Sequence, residues 1–313
     1  MRVLIADKME EQCQAKLREF PGIEVVVKNG LSPQALKKEI GDYEGLIVRS
    51  ATKVTREIIE AGKSLKIIGR AGAGVDTIDV QAASERGIVV TNTPAGNSAA
   101  VAELVLGLMF ALARSISQAD ASMKAGKWEK KNLMGSELAR KTLGLVGIGS
   151  VGSRVARKAR ALEMKVLAYD PYVTPERVRE LGAEPSRLED LLRDSDYISI
   201  HVPKTKETAG LIDGQAFAKM KKGVYLVNCA RGGIVVERDL LKALEEGKVA
   251  GAGLDVYDQE PPQDLSLCRH PRVVATPHIG ASTQEAQAAV AEMIAYQMGR
   301  YLTRGEIINA VNG

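Results

Sequence analysis

The sequence predicts an α/β protein built from two doubly wound parallel sheets. Short apolar runs alternate with helical patterns from end to end, the signature of parallel strands joined by crossover helices. The runs outnumber the strands that one open sheet usually holds. The chain has 313 residues, length enough for two domains that each bury a core.

In the first third, apolar runs at 2–6, 23–28, 45–49, 66–69 and 88–91 are the candidate strands. The pattern then changes. Residues 98–121 read as one long helix, with Asn97 or Ser98 as N-cap and Gly126 beyond its end. Val101, Leu104, Val105, Leu108, Met109, Leu112 and Ile116 cover too much of it for a surface helix. Such a helix is expected to be buried between domains or between subunits. Further strands are expected at 142–146, 165–169, 197–201, 224–228, 252–255 and 273–276, and a closing helix at 283–303. The expected domains are 1–97 with 279–313, and an inserted 98–278, the chain crossing near Asn97 and again near His278.

Gly147-Ile148-Gly149-Ser150-Val151-Gly152 falls where the strand at 142–146 hands over to a helix. The first glycine permits a tight turn, the second lets a pyrophosphate approach the backbone, and the third lets helix pack closely on strand. The helix N-terminus meets the negative charge. The next strand ends in Asp170, a carboxylate placed to hold an adenosine ribose hydroxyl. Pro171, Tyr172 and Val173 follow it, with no cation for a 2′-phosphate, so NAD is favoured over NADP.

Composition is that of an ordinary globular protein, 45% hydrophobic and 26% charged. A net charge of +4 could help draw in an anionic substrate. No dense basic stripe interleaved with aromatics suggests nucleic acid. The stretch 104–113 is about half of what spans a bilayer, and Met1 runs directly into a strand with no signal-peptide pattern. Cys13, Cys229 and Cys268 show neither a disulfide framework nor a metal spacing, so no metal is expected and a reducing cytoplasm is the expected home.

In doubly wound sheets, ligands bind beyond the carboxyl ends of the strands. Three such ends in the second half carry Arg231, Glu260 and His278. An Arg guanidinium is a rigid fork that can grip a carboxylate and polarise the neighbouring carbonyl. A carbonyl that accepts hydride develops alkoxide charge and needs a proton donor. The three histidines are His201, His270 and His278. His201 reads as part of a turn lining the cofactor crevice, and His270 lies at the far end of a strand, which leaves His278 as the acid. Glu260 would favour its imidazolium and fix the ring. Singly, each has an ordinary reading: a capping arginine, a loop acid, a strand-end histidine. Their joint placement favours hydride transfer to a 2-keto acid.

Several motifs in order now carry a resemblance. They are Val48-Arg49-Ser50-Ala51-Thr52, Gly69-Arg70-Ala71-Gly72-Ala73-Gly74-Val75-Asp76, Asn92-Thr93-Pro94-Ala95-Gly96-Asn97-Ser98 and Met123-Lys124-Ala125-Gly126-Lys127-Trp128. Asn228-Cys229-Ala230-Arg231-Gly232-Gly233, Asp258-Gln259-Glu260-Pro261-Pro262 and Pro277-His278-Ile279-Gly280-Ala281-Ser282 complete the set. Together they resemble the D-isomer-specific 2-hydroxyacid dehydrogenases over nearly the whole chain. The N-terminal motifs look most like the branch that acts on 3-phosphoglycerate.

The resemblance implies a Rossmann NAD-binding domain inserted into a flavodoxin-like substrate domain. It implies His278 as acid/base, Glu260 as its partner, and Arg231 on the substrate's carboxylate and keto group. Ala73 and Gly74 would present N–H groups to that carboxylate, as glycine-rich turns do for anions. Arg49, Arg70 and Ser50 would suit the 3-phosphate. Gly147, Gly149, Ser150, Val151 and Gly152 would take the pyrophosphate, Asp170 the ribose and Val202 the adenosine side. Asp255 would lie near the nicotinamide carboxamide, and Cys229, Ala230, Arg231, His278, Gly280 and Ala281 complete the cofactor set. Lys130 falls where the family often has another basic residue, reaching across a homodimer or higher homo-oligomer.

The implied activity is reversible oxidation of 3-phospho-D-glycerate to 3-phosphohydroxypyruvate, with domain closure about Asn97 and His278 excluding water. That branch often carries a C-terminal regulatory domain, and the sequence stops soon after its closing helix, so insensitivity to L-serine is expected. Rival readings are a glyoxylate or hydroxypyruvate reductase on the same scaffold, and a non-catalytic NAD(H)-sensing protein.

Overall fold

A computed structural model describes residues 1–312. The chain divides into two compact units, Met1–Ser98 together with the segment from Ala281 onward, and Ala99–Gly280. Each is an α/β unit around its own parallel sheet.

In the discontinuous unit the strands are β1 (Arg2–Ile5), β2 (Glu24–Val27), β3 (Gly45–Val48), β4 (Ile67–Arg70) and β5 (Val89–Thr91), ordered β2-β1-β3-β4-β5. The helices between them are α1 (Glu11–Arg18), α2 (Pro33–Glu39), α3 (Arg56–Ala61) and α4 (Val80–Glu85). Strand alternation feeds two cores at once. Val3, Ile5, Ile47 and Ile67 face α1 and the C-terminal helix, while Leu4, Leu46, Val48, Ile68 and Val90 face α2, α3 and α4. Gly69 lets that C-terminal helix come close, since a Cβ there would lie 2.9 Å from Ile294.

The second unit opens with α5 (Ser98–Ala113), whose first residue belongs to the other unit, and α6 (Ile116–Lys124). Its strands are β6 (Thr142–Val146), β7 (Lys165–Tyr169), β8 (Glu184–Pro185), β9 (Tyr197–Ile200), β10 (Val224–Asn228), β11 (Val249–Leu254) and β12 (Val273–Ala275). Helices α7 (Ser150–Ala161), α8 (Pro175–Glu180), α9 (Leu188–Asp194), α10 (Gly214–Lys219), α11 (Glu237–Glu245) and α12 (Ser266–Arg269) alternate with them. The C-terminal helix is α13 (Gln284–Arg304). The sheet order is β12-β11-β10-β9-β6-β7-β8. The chain winds outward from β6 to β8 and then returns to β9 on the other side, so β6 and β9 flank the point where strand order reverses.

Two expectations are corrected. Residues 98–121 are not one helix: α5 and α6 meet at a 66° bend, with Ser115 in the left-handed region at φ 50°. Ser136 N–H takes the Ala113 carbonyl at 2.8 Å, a tertiary bond that ends α5 where the apolar rhythm continues. Val101, Val105, Leu108, Met109 and Leu112 are buried in the core of this unit, whereas Ile116, past the bend, is exposed. The strand expected at 252–255 begins at Val249, because Gly251 and Gly253 lie under α5. Cβ atoms there would come 3.1 Å from Leu112 and 3.0 Å from Leu108. The edge strand β8 had no apolar run to announce it. Among the described residues no single helix is long and apolar enough to cross a membrane, and no cluster of His, Cys, Asp or Glu could hold a metal.

Candidate active site

The glycine turn between β6 and α7 has three different constraints. Gly147 sits at φ 96°, and a Cβ on it would lie 2.9 Å from the His201 carbonyl at the end of β9. Gly152 would put a Cβ 2.3 Å from the Gly147 carbonyl, so the first turn of α7 rests on the strand end. Around Gly149 there is open space, with nothing within 4 Å of a Cβ. A crowded first and third glycine with an exposed second is the cradle that a pyrophosphate requires, at the N-terminus of a helix whose Val155, Ala156 and Ala159 are buried. A dinucleotide therefore fits these residues.

Asp170 follows β7 and is already oriented. Its carboxylate accepts the Ile148 N–H and the Tyr172 N–H, each at 3.0 Å, which ties the acid to the glycine turn. Tyr172 itself is exposed. Val202, beside the Gly147 position, borders the same crevice. His201 is anchored through its N–H to the Val146 carbonyl at 2.7 Å. Its residue as a whole is half-buried, but Nε2 is buried without a hydrogen-bond partner, and burial pushes the imidazole down to about 4.

At the end of β10, Asn228 builds the next loop by accepting the Ala230 N–H and donating to the Arg231 carbonyl, both at 3.0 Å. Arg231 Nη1 donates to the Ala230 carbonyl at 2.6 Å. Cys229 is buried beside Asp255, and burial raises its thiol well above the ordinary range. After β11, the loop carrying Glu260 turns back so that Oε1 accepts the Tyr257 N–H at 3.1 Å and Oε2 lies 2.6 Å from His278 Nδ1. The carboxylate thereby selects the tautomer and faces the ring.

His278 occupies the left-handed region at φ 53°, a costly backbone for a non-glycine residue. Fully buried Asp255 holds that turn, accepting Thr276 Oγ1 at 2.6 Å and the N–H groups of Ile279 and Gly280 at 2.8 Å. A cavity of about 360 Å³ abuts the pair, walled by Tyr257, Pro261, Pro262, Cys268 and Thr276.

In the other unit, Arg49 and Arg70 occupy neighbouring strand ends, because Val48 pairs with Arg70 across β3 and β4. Asp7, 4% exposed beyond β1, shapes the loop that follows β3. It accepts the Arg49 and Thr52 N–H groups at 2.6 and 3.2 Å and the Thr52 hydroxyl at 2.6 Å. Ser50, exposed, lies within that loop. The Arg49 side chain leans on the Lys8 carbonyl at 3.4 Å and on Glu10 at 3.9 Å. Arg70 folds over Gly72, where a Cβ would overlap its guanidinium, and Asn92 donates to the Ala73 carbonyl next to Gly74.

Glu260 and His278 are thus in direct contact, and Arg231 belongs to the same unit. Arg49, Ser50, Arg70, Ala73 and Gly74 belong to the other, with Ala281 at its return. His270 accepts the Arg272 N–H ahead of β12, at the end of that strand opposite His278. Lys130 lies in an exposed one-turn 3₁₀ segment, Lys130–Asn132. Sequence reasoning passed over Asp7, Tyr257 and Thr276. Asp7 follows β1 as Asp170 follows β7, and that position was its only signal.

The family model for D-isomer specific 2-hydroxyacid dehydrogenase, NAD binding domain, matches residues 106–280. D-3-phosphoglycerate dehydrogenase of Archaeoglobus fulgidus is 51% identical over 313 residues, which is all of this chain and 59% of that protein. The chain therefore spans about three-fifths of the length of that relative. A glyoxylate reductase from Paecilomyes thermophila superposes with a TM-score of 0.90 at 31% identity, covering 99% of this chain and 98% of the other. D-lactate dehydrogenase from Aquifex aeolicus, complexed with NAD and lactic acid, gives 0.87 at 30% identity and covers 99% of both chains.

Proposed function

The chain belongs to the D-isomer specific 2-hydroxyacid dehydrogenase family, and on that premise we propose that it catalyses the reversible NAD-dependent oxidation of 3-phospho-D-glycerate to 3-phosphohydroxypyruvate. The observation that carries the chemistry is the 2.6 Å contact between Glu260 and His278 Nδ1, which leaves Nε2 for the substrate. The observation that carries the substrate is the pair of arginines on adjacent strand ends, in a chain 51% identical to a phosphoglycerate dehydrogenase.

NAD, held by the Gly147–Gly152 turn and Asp170, would supply the hydride acceptor. The chain's own residues handle the rest. In the oxidation direction neutral His278 takes the C2 hydroxyl proton, and Glu260 stabilises the imidazolium that results. In reduction His278 gives that proton back. Arg231 grips the carboxylate and withdraws charge from the C2 oxygen, while the N–H groups of Ala73 and Gly74 receive the other carboxylate oxygen. Arg49 and Arg70, with Ser50, take the phosphate.

The unit formed by 99–280 displays Phe110, Ile116, Met123, Trp128 and Met134 along 110–134, an apolar surface that suits a second copy of the chain. We assign a homodimer to it. The free thiols of Cys13, Cys229 and Cys268 suit the cytoplasm.

Arg49→Met separates phosphorylated from unphosphorylated substrates. Loss of a charge-assisted phosphate contact is expected to lower kcat/KM for phosphohydroxypyruvate by about 10–100-fold, and that for hydroxypyruvate by about threefold or less. Equal losses would transfer the assignment to a hydroxypyruvate or glyoxylate reductase.

A further inference from the structure

Tyr257 touches all three segments that carry the candidate catalytic residues. Its carbonyl oxygen lies only 1.8 Å from where a Cβ on Gly232 would be, so the Arg231 turn rests directly on it. Its N–H donates to Glu260 Oε1 at 3.1 Å. Its hydroxyl donates to the Thr276 carbonyl at 3.0 Å, and that same carbonyl accepts the His278 N–H at 3.1 Å. The Leu254 carbonyl stands further off, at 3.3 Å, and a phenol has one proton to give.

The residue is 7% exposed, and burial together with the Cys268 thiol raises the phenol well above the ordinary tyrosine range. The hydroxyl therefore remains a donor at every pH at which the enzyme would work. Packing alone does not call for it, since a phenylalanine ring would occupy the same volume.

We propose that Tyr257 is a positioning residue: its hydroxyl and N–H tie the turn carrying His278 to the loop carrying Glu260, and so hold imidazole against carboxylate. The role rests on the hydride-transfer reading for its kinetic consequences but not for its geometric ones. Nothing in Tyr257 need touch substrate or cofactor. Asp255 restrains the same turn through Thr276 Oγ1 and the N–H groups of Ile279 and Gly280, but none of those bonds reaches Glu260, whereas Tyr257 bonds to both the turn and the carboxylate.

Tyr257→Phe removes the hydroxyl alone. It is expected to lower kcat about tenfold, leave KM for both substrates within about twofold, and displace a limb of the pH–kcat profile. Because the chain has 3 histidines, nuclear magnetic resonance can follow each ring. The His278 resonances should move while those of His201 and His270 stay. On a Glu260→Gln background the same substitution should cost less than about threefold, because the tie then has no ion pair to hold.

A folded Tyr257→Phe enzyme with unchanged kcat and unmoved His278 resonances overturns the proposal, as do equal losses on the two backgrounds. If that variant does not fold, 3-fluorotyrosine placed at position 257 alone keeps the ring and its hydroxyl and alters the strength of the bond to the Thr276 carbonyl. The His278 resonances must then move in that protein, and unmoved ones overturn the proposal equally. Absence of turnover with every 2-hydroxy acid would sink the functional reading, and the resonance comparison would still decide this one.

Discussion

His201 offers a test of the cofactor crevice that needs no substrate. Its imidazole is pushed down to about 4 from the ordinary 6.5, because Nε2 is buried with no acceptor or donor beside it. A base with a depressed value in the folded state stays neutral while the unfolded chain takes up a proton. Stability is therefore complete above pH 6.5 and falls as the pH drops toward 4. At about 1.36 kcal/mol per pH unit, linkage gives a loss of about 2 kcal/mol by pH 5. The residue keeps some solvent contact, and screening brings the expected loss to about 1–2 kcal/mol.

His201→Phe abolishes the titration and fills similar space. The difference between wild type and variant cancels the carboxylates common to both. Urea unfolding at a series of pH values should show the variant gaining on wild type by about 0.5 M in midpoint between pH 7.5 and pH 5. Parallel curves across that range would refute the buried, unpartnered ring.

His278→Ala should lower kcat by about 10²–10⁴-fold, the usual worth of a general acid–base group. NADH affinity, read by fluorescence titration, should stay within about threefold; a parallel collapse of binding would count against the acid–base role. Asp170→Ala should narrow the ratio of kcat/KM for NAD over NADP, and it should also loosen the turn that Asp170 holds through Ile148. An unchanged ratio would remove Asp170 from cofactor selection.

What was legible in the sequence is what depends on neighbours along the chain. The apolar runs that become β1 and β3, and the glycine turn between β6 and α7, are local patterns, and these elements form where the runs lie. The break at Ser115 was not legible, because the bond that ends α5 comes from Ser136 and the apolar rhythm runs through the bend. Strand β11 starts ahead of the expected 252–255 because Gly251 packs under Leu112 of α5, a contact that local sequence does not reveal. Asp7 and Tyr257 were missed for a related reason. Asp7 acts on Arg49 and Thr52 through contacts about 40 positions away, and Tyr257 acts on Thr276 through one that closes only when β11 and β12 pair.

The division of residues between the two units has an evolutionary consequence. On the proposed assignment, the Glu260–His278 pair and the glycine turn lie within 99–280, while Arg49 and Arg70, proposed for the phosphate, lie outside it. Selection for a new acid can therefore work on the loops after β3 and β4 while the redox apparatus is inherited intact. A chimera that joins this inserted segment to the outer half of a relative with a different preference should keep its nicotinamide chemistry and adopt the donor's diet.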